Sequence, residues 1–413
     1  MSSTDGSTTL LVNATVIDCT GRGPIENASL LLESGMIRAI IVGEQLPSAD
    51  RIVDLKGRFV LPGLIDAHVH IGGVDHVGGQ HRRYSPVHLA FLMARRLETM
   101  LDCGFTTVRD AGGAEVGFKR ALEEGLIRGP RLLASMRPLS QTGGHGDHRG
   151  PAEPGDYHYE GDFGMTHVIA DGVDEVRRAV REQLRKGADV IKVVASGGAV
   201  SHGAINATQY SVAELTAAVD VAAAAGKYVM AHALPSRAIN NCMDAGVRSI
   251  EHGNFLDSAT AKRMAESGTY LVPTLFAYEH DAKYGDRYGY SEEVREKLQV
   301  GADHGRDSLR IAVNHGVKVG SGSDAIGPGV ALMGEEIVSQ AEVMGAHEAI
   351  MAATRVNAEI LGVSDLVGTV EEGKRADLIV VADNPLDSAK ALGSRAGIAY
   401  VIQDGDFVRG EDS

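Results

Sequence analysis

Hydrophobic and polar positions follow two different patterns along the chain. Near the N-terminus, runs rich in Val, Ile and Leu are separated by turn residues, as in "TLLVNATVID", "ASLLLESGMIRAII" and "RIVDLKGRFV". The C-terminus repeats this pattern in "GTVEEGKRADLIVVAD" and "GIAYVIQDGDFVRG". Short apolar runs bounded by Gly, Pro, Asn and Asp are typical of β-strands. Both chain ends are therefore predicted to build one small β-domain together.

The middle of the chain alternates between helix-like and strand-like periods. An amphipathic run precedes a strand-like run in "EVRRAVREQLRKG" and "ADVIKVVASGG", and again in "SRAINNCMDAG" and "VRSIEHGN". Such alternation predicts a parallel α/β fold. Eight strand-like runs favour a (β/α)8 TIM barrel. The predicted domains are a β-sandwich from residues 1–61 and 367–413, and a catalytic barrel from residues 62–366.

Composition and charge narrow the classes of partner. The chain has 413 residues, of which 44% are hydrophobic, and its formal net charge is -15. This acidity argues against a nucleic-acid partner, because phosphate binding needs a basic face. Cys19, Cys103 and Cys242 match no disulfide or metal spacing, which favours a reducing compartment. We find no signal-peptide pattern and no apolar run of the ~18–20 residues that span a bilayer, so we expect a cytoplasmic protein without a membrane partner.

Residues able to bind a metal stand on several of the predicted barrel strands, mostly at their ends. In chain order they are His68 and His70, Lys192, His232, His252 and Asp324, on the first, fourth, fifth, sixth and eighth strands. The carboxyl ends of barrel strands form one face, so these residues are expected to converge. Because residues i and i+2 of a strand point the same way, His68 and His70 both face the barrel axis. Imidazole with carboxylate is a normal ligand set for zinc or a similar ion.

Each of these residues also has a purely structural interpretation. A lone His at a strand end, such as His232 or His252, is more often a hydrogen-bonded structural residue, and Asp324 could cap the next helix. A buried ammonium costs several kcal/mol unless it is neutralised or paired. Lys192 is therefore either half of a buried ion pair or a lysine whose depressed pKa permits chemistry at nitrogen. The joint pattern, in this order and on these strands, favours the metal site.

The same segments resemble the metal-dependent amidohydrolase superfamily. The resembling residues are "LPGLIDAHVH", "VIKVVASGG", "MAHA", "SIEHGN", "GSGSDA" and "GTVEEGKRADLIVVADNPL". The resemblance covers nearly the whole chain and is greatest for prolidase-like dipeptidases and carboxypeptidases, with ochratoxin-hydrolysing amidases close by. "TGGHGD" and "ATQYS" support that branch. The chain departs from the pattern at "HALPSR", where a second His is expected after His232, which affects the substrate pocket rather than the metal ligands.

The resemblance implies a binuclear metal site, with zinc as the expected ion. The ligands would be divided between the two ions, with His68, His70 and Asp324 on one and His232 and His252 on the other. Lys192 would be carboxylated by carbon dioxide, and its carbamate would bridge the ions. A metal-bridging hydroxide would attack the carbonyl carbon, and Asp324 would accept its proton and pass it to the leaving nitrogen. Relatives of this kind commonly form homo-oligomers.

The leading functional hypothesis is hydrolysis of a small-molecule amide, namely a dipeptide or an N-acyl amino acid with a free carboxylate. Ureas, carbamates and cyclic amides are an alternative, since one metal site serves many carbonyl compounds. A deaminase is disfavoured by Lys192, because relatives of that type use one metal without a carbamate. A non-catalytic scaffold is disfavoured because all six ligand positions hold competent residues. The glycines of "ASGGAVSHG" match no nucleotide-binding motif.

Substrate contacts are expected from the loops that follow the strands. His145, in the long loop after the third strand, is predicted to donate to the carbonyl oxygen or the intermediate, with a structural role as the alternative. His202 is a second candidate, in the loop after Lys192. Arg237 could pair a substrate carboxylate, although a solvated arginine at a helix start is the commoner situation. At least one pocket residue is also expected among the histidines that follow the first strand, which are His76, His81 and His88.

Overall fold

Strands at both chain ends flank a middle part in which strands and helices alternate. The computed structural model describes residues 6–43, 45–76, 83–150, 152, 164–201 and 203–410. In chain order, the strands of these ranges are β1 (Thr8–Val16), β2 (Ile25–Glu33), β3 (Met36–Val42), β4 (Arg51–Asp54), β5 (Phe59–Pro62), β6 (Leu64–Val69), β7 (Phe105–Asp110), β8 (Arg131–Ala134), β9 (Leu139–Ser140), β10 (Val168–Ile169), β11 (Ile191–Val194), β12 (Val229–Pro235), β13 (Ser249–Phe255), β14 (Tyr270–Val272), β15 (Leu378–Val381), β16 (Ile398–Gln403) and β17 (Asp406–Arg409).

Helices follow most of the strands in the middle part. They are α1 (Pro86–Asp102), α2 (Val116–Glu123), α3 (Gly172–Arg185), α4 (Val212–Ala224), α5 (Ser236–Ala245), α6 (Ser258–Ser267), α7 (Leu275–Tyr284), α8 (Glu292–Asn314), α9 (Glu335–Met344), α10 (Ala346–Met351) and α11 (Asn357–Leu361). Their starts follow capping chemistry: Ser211 and Glu214 form a capping box on α4. Helix α8 begins after Ser291, which caps it by accepting from the Val294 amide. Among the helices of the described ranges, none has the length and apolarity that crossing a membrane requires.

The two chain ends share one sheet, as predicted. Its strand order is β17-β16-β15-β5-β1-β2-β3, and β4 pairs with β1. The antiparallel pairing of β15 with β5 sets Val380 opposite Val60 and so joins the C-terminal strands to the N-terminal ones. Apolar side chains from both ends, among them Leu11, Leu30 and Ile402, are buried in one cluster. The two-layer sandwich and the domain boundaries after residues 61 and 366 stay predictions.

The middle part is an α/β fold with parallel strands. One sheet has the order β10-β9-β11-β12-β13-β14, and a second has the order β6-β7-β8. Of the eight runs that the sequence predicts as barrel strands, seven form strands in the structure. These strands are β6, β7, β8, β11, β12, β13 and β14. The eighth predicted run, "VKVGSGSD", makes only an isolated parallel bridge between Val319 and Leu271.

Backbone hydrogen bonds connect this eighth run to strands on both of its sides. The Leu271 amide donates to the Lys318 carbonyl at 3.0 Å, and the Gly320 amide donates to the Leu271 carbonyl at 2.8 Å. On the other side, the Ala67 amide of β6 donates to the Ser321 carbonyl at 2.9 Å. The run therefore lies between β14 and β6. This position brings the end of the chain's eighth α/β unit next to the end of its first.

Candidate metal centre

Six predicted ligand residues converge on one cavity. The cavity measures about 730 Å³, and the six that line it are His68, His70, Lys192, His232, His252 and Asp324. Nε2 of His70 lies 3.4 Å from Oδ1 of Asp324, and Nζ of Lys192 lies 3.5 Å from Nε2 of His68. The ring centroids of His232 and His252 are 4.4 Å apart. Strands separated by more than 250 positions in sequence thus supply one cluster, as expected from their parallel arrangement.

In each histidine of the cluster, one ring nitrogen forms a hydrogen bond and the other is available to bind a metal ion. Nδ1 bonds to Glu251 in His68 at 2.8 Å, to the Gly112 carbonyl in His70 at 2.7 Å and to the Thr274 hydroxyl in His252 at 2.7 Å. In His232 it is Nε2 that bonds, to the Gly197 carbonyl at 2.8 Å. Such second bonds fix the tautomer and the ring orientation of metal-binding histidines.

Burial keeps the four imidazoles neutral. It lowers the pKa of His70 to about 3 and the pKa values of His68, His232 and His252 well below the usual range, and the positive charge of Lys192 lowers them further. A neutral imidazole offers a lone pair, which an imidazolium cannot do. Each of the four imidazoles can therefore donate a lone pair to a metal cation.

Lys192 is buried in this cluster and Asp324 is mostly buried, and desolvation shifts the pKa values of both. Desolvation lowers the pKa of Lys192 to about 8, although the charges of Glu251 and Asp324 favour the ammonium form. Desolvation raises the pKa of Asp324 to about 8, although Lys192 favours its carboxylate. The neutral forms of both groups are thus favoured by burial. Perturbed pKa values of this kind are typical of catalytic residues.

Two of the cluster residues are held in a left-handed backbone conformation. His252 has a φ of 76° and Asp324 a φ of 50°, values that residues other than glycine seldom adopt. Gly322 allows the close approach beside them, because a Cβ there would lie 2.7 Å from Cβ of His68. Backbone strain of this kind persists where the surrounding structure dictates it, and it concentrates at functional sites.

The chemistry of the donor set fits divalent metal ions. Ligand atoms of His68, His70 and Asp324 lie within 4.8 Å of one another. Neutral imidazole and carboxylate are ordinary ligands for zinc and for similar ions. A divalent cation would also offset the desolvation of the Asp324 carboxylate. The residues present therefore fit the metal that the sequence predicts at this position.

A buried charge network behind the cluster was missed from the sequence. Glu251 accepts from His68, from Ser249 at 2.7 Å and from Arg109 at 2.9 Å, and both charged side chains are fully buried. Asp66 accepts from the backbone amides of His68 and Ser323, and so ties β6 to the eighth run. The two-residue alternation that places His68 and His70 on one face of the strand could also have identified Asp66, because Asp66 lies two residues before His68 on the same strand.

Replacing Glu251 by glutamine is expected to destabilise the protein by about 3–5 kcal/mol, because it leaves the Arg109 guanidinium buried without its counter-charge. The same change is expected to weaken metal binding by about 10- to 100-fold, since His68 loses its charged partner. Urea unfolding of the metal-free protein and a metal titration measure the two effects. Glu98→Gln is the control, because Glu98 pairs with Arg128 in a half-exposed position. Equal urea midpoints for Glu251→Gln and wild type would contradict the role given to the network.

Of the residues predicted to contact the substrate, only some line the cavity in the part of the chain that the structure describes. His145 lines the cavity, and its ring stacks on His232 at 4.6 Å. Burial lowers the pKa of His145 to about 3, and its Nδ1 has no hydrogen-bond partner among the described residues. Arg237 is exposed near the start of α5 and does not line the cavity in the described chain, so its position gives no support to the predicted carboxylate contact. His202 and His81 lie outside the described residues.

The cavity wall also contains residues that sequence reasoning did not select. They are His148, Met165, His167, Tyr278, Asp281, Tyr288 and Tyr290. His76, one of the three histidines expected to include a pocket residue, also lines the cavity. Most of them lie on loops or on helix α7. No strand period marks such positions in the sequence, and their helical spacing is the same as that of ordinary core residues.

Comparisons with known proteins agree with this geometry. A family model described as "Amidohydrolase family" matches residues 59–408. An ochratoxinase of Aspergillus niger is 32% identical over 436 residues, covering 99% of this chain and 88% of that protein. A crystal structure of a prolidase complexed with N-methylphosphonate-L-proline is 39% identical with a TM-score of 0.93, covering 98% of this chain and 100% of the other. A Xaa-Pro dipeptidase with bound methionine is 31% identical with a TM-score of 0.89, over the same shares of the two chains.

Proposed function

The chain belongs to the amidohydrolase family, and on this premise we propose that it hydrolyses the amide bond of dipeptides or N-acyl amino acids that carry a free carboxylate. It is a metal-dependent hydrolase of carbon–nitrogen bonds. The observation that carries the proposal is the cluster of four neutral histidines around Lys192 and Asp324 in one cavity. The names of the similar proteins, an ochratoxinase, a prolidase and a Xaa-Pro dipeptidase, support the choice of substrate.

The proposed site holds two divalent ions, with zinc as the expected metal. His68, His70 and Asp324 would bind one ion through Nε2 atoms and a carboxylate oxygen. His232 and His252 would bind the other through the nitrogens that their hydrogen bonds leave free. Such ions supply Lewis acidity toward a carbonyl and lower the pKa of water.

Lys192 is proposed to carry a carboxyl group on Nζ. A neutral amine attacks carbon dioxide to form a nitrogen–carbon bond, and the nitrogen then releases a proton to give a carbamate. Because burial lowers the pKa of Lys192 to about 8, a useful fraction of the amine is neutral near physiological pH. The carbamate would offer two oxygens as metal ligands, whereas an ammonium cannot coordinate a metal.

Two residues are proposed to act on the substrate during hydrolysis. Asp324 accepts the proton of the attacking water and delivers it to the leaving nitrogen, a task suited to a carboxylate whose pKa is raised toward neutrality. His145 donates an N–H hydrogen bond to the substrate carbonyl oxygen, because its neutral ring borders the cavity beside His232. Donors aimed at a developing oxyanion contribute strongly to catalysis.

The proposal extends to the architecture around the site. The hydrogen bonds of the eighth run to β14 and β6 support a closed (β/α)8 barrel. The sheet from both chain ends supports a small β-sandwich beside it. A cytoplasmic homo-oligomer is part of the same proposal, and light scattering measures the assembly directly.

Metal analysis combined with a hydrolysis screen tests the proposed function. We expect about two divalent ions per chain and turnover of dipeptides or N-acyl amino acids, with loss of both on chelation and recovery on adding zinc. Ureas, carbamates and cyclic amides serve as the comparison panel. Turnover confined to that panel would refute the proposed substrate class. Stoichiometric metal with no turnover of any amide would refute the proposed reaction.

A further inference from the structure

The loop that follows β11 forms part of the cavity wall next to the histidine cluster. Backbone hydrogen bonds close its base: the Gly197 amide donates to the Ala207 carbonyl, and the Gln209 amide donates to the Ala195 carbonyl, each at 2.8 Å. The Gly197 carbonyl in turn bonds Nε2 of His232. The base of the loop therefore supports a proposed metal ligand through backbone bonds of its own.

Gly198 brings the backbone of this loop against the ring of His145. A Cβ on Gly198 would lie 2.4 Å from Cε1 of His145 and 2.7 Å from its Nδ1, so any side chain at this position would displace the ring. The same ring also stacks on His232 with centroids 4.6 Å apart. His145 belongs to a loop, and a side chain on a loop is oriented precisely only where its neighbours fix it. The orientation of His145 therefore depends on where Gly198 lies.

Lys297 joins the tip of the loop, namely Ser201 and Gly203, to helix α8. Its Nζ donates to the Ser201 and Gly203 carbonyls, both at 3.0 Å, and to Oε1 of Glu293 at 2.7 Å. An ammonium has three N–H donors, so these acceptors use all of them. Hydrogen bonds from an ionised donor are stronger than those from a neutral one. The side chain is only 15% exposed, which limits competition from water for these bonds.

Ser201 connects the tip of the loop to Gly198. Its hydroxyl donates to the Gly198 carbonyl at 2.9 Å and accepts from the Gly198 amide at 3.3 Å. The backbone carbonyl of the same residue accepts from Lys297. A continuous path of direct contacts thus leads from Lys297 through Ser201 and Gly198 to the ring of His145.

Apolar packing places the same segment against helix α8. Ala199 is buried and belongs to a cluster with Leu234, Tyr278 and Leu298. Leu298 directly follows Lys297, so one turn of the helix contacts the loop through both apolar and charged groups. Apolar attraction is non-directional and does not by itself fix the position of a backbone. The directional bonds of Lys297 are therefore what sets the position of the tip.

We infer that Lys297 is a positioning residue for amide hydrolysis, which holds the tip of the loop so that Gly198 keeps the ring of His145 oriented toward the substrate. The inference rests on the proposed function, in which His145 donates to the carbonyl oxygen. Lys297 acts on the reaction through His145 and does not touch the substrate. A misplacement of about 1 Å can cost about 100-fold in rate, so the loss of these bonds should lower turnover.

Lys297→Met tests the assignment, because methionine keeps an apolar stem of similar length and removes all three hydrogen bonds. We expect kcat for the best amide of the hydrolysis screen to fall by about 10- to 100-fold, with KM within about threefold of wild type. Metal content should equal that of wild type, because the base of the loop keeps its bond to His232. Arg310→Met is the matched control: it removes a positive charge from an exposed position on the same helix, where Arg310 pairs with Asp307, and should keep the wild-type kcat.

A double-mutant cycle shows whether Lys297 acts through His145. His145→Ala should lower kcat by itself, and adding Lys297→Met should then have less than about a twofold further effect, since residues that act as one unit are not additive. Gly198→Ala should also lower kcat, by displacing the same ring from the other end of the path. An equal loss from Lys297→Met in both backgrounds, a wild-type kcat in Gly198→Ala, or loss of metal from Lys297→Met would overturn the assignment.

Hydrogen exchange measures the position of the loop without any substrate. Peptides that cover residues 196–201 should exchange at least about tenfold faster in Lys297→Met than in wild type, and at the wild-type rate in Arg310→Met. Unchanged exchange in Lys297→Met would overturn the assignment whether or not the protein hydrolyses an amide. Faster exchange in this variant, combined with no turnover of any amide by wild type, would confirm that Lys297 holds the loop and would count against the proposed function instead.

Discussion

Lys192→Ala is expected to lose bound metal and activity together. If the carbamate of Lys192 joins the two ions, alanine removes a ligand from both, and kcat/KM for the best amide should fall by more than about 10³-fold. Metal content after dialysis should fall well below that of wild type. The stoichiometry is measured by plasma mass spectrometry, and the carbamate itself by incorporation of isotopically labelled bicarbonate into wild type but not into the variant.

Lys192→Met separates the loss of chemistry from a loss of folding. Methionine has a similar length and keeps the packing of the buried stem, but it removes the positive charge beside Glu251 and Asp324. The variant should still unfold in one cooperative urea transition and lack turnover. Lys262→Ala controls for handling, since Lys262 is exposed and pairs only weakly with Glu266. Full activity in Lys192→Ala would eliminate the bridged two-metal arrangement.

The convergence of ligands could be predicted because it follows from strand periodicity and parallel topology. His68 and His70 share a face by the two-residue repeat of a strand, and the carboxyl ends of parallel strands meet on one side of the fold. Neither argument depends on the loops. The same reasoning placed the two chain ends in one sheet, since apolar runs separated by turns recur at both termini.

The eighth barrel strand and the wall of the cavity were harder to predict, for different physical reasons. "VKVGSGSD" reads as a strand, but Gly320 and Gly322 give close packing rather than a regular ladder, and a single bridge remains. Asp281 and Tyr278 lie on one face of a helix, where spacing alone cannot distinguish a cavity from a core. Arg237 was selected for its nearness to His232 in sequence, yet it is exposed on α5.

Helix α7 contributes both to the wall of the cavity and to the support of the histidine cluster. Thr274, just before this helix, bonds Nδ1 of His252, while Tyr278 and Asp281 border the cavity one and two turns farther along. The Phe276 amide donates to Glu336 at 2.7 Å, which anchors the helix start against α9. One helix therefore orients a proposed metal ligand and lines the cavity beside it.

Asp324→Asn is expected to lose most turnover while it keeps substantial metal. Asparagine has an oxygen that can still face the metal, and the imidazoles of His68 and His70 remain, so binding weakens without being lost. Asparagine cannot accept and return a proton, so kcat should fall by about 10²- to 10⁴-fold with a much smaller change in KM. Steady-state kinetics and metal analysis on the same preparation measure both properties.

The outcome of Asp324→Asn separates two roles that one carboxylate can have. Burial raises the pKa of Asp324 and so favours proton uptake by the group, whereas the charge of Lys192 favours its carboxylate. If metal and turnover fall by the same factor, Asp324 acts chiefly as a ligand. If turnover stays within about threefold of wild type with metal intact, proton transfer runs through another group. Asp220→Asn, on an exposed face of α4, should leave both quantities unchanged and sets the scale for either result.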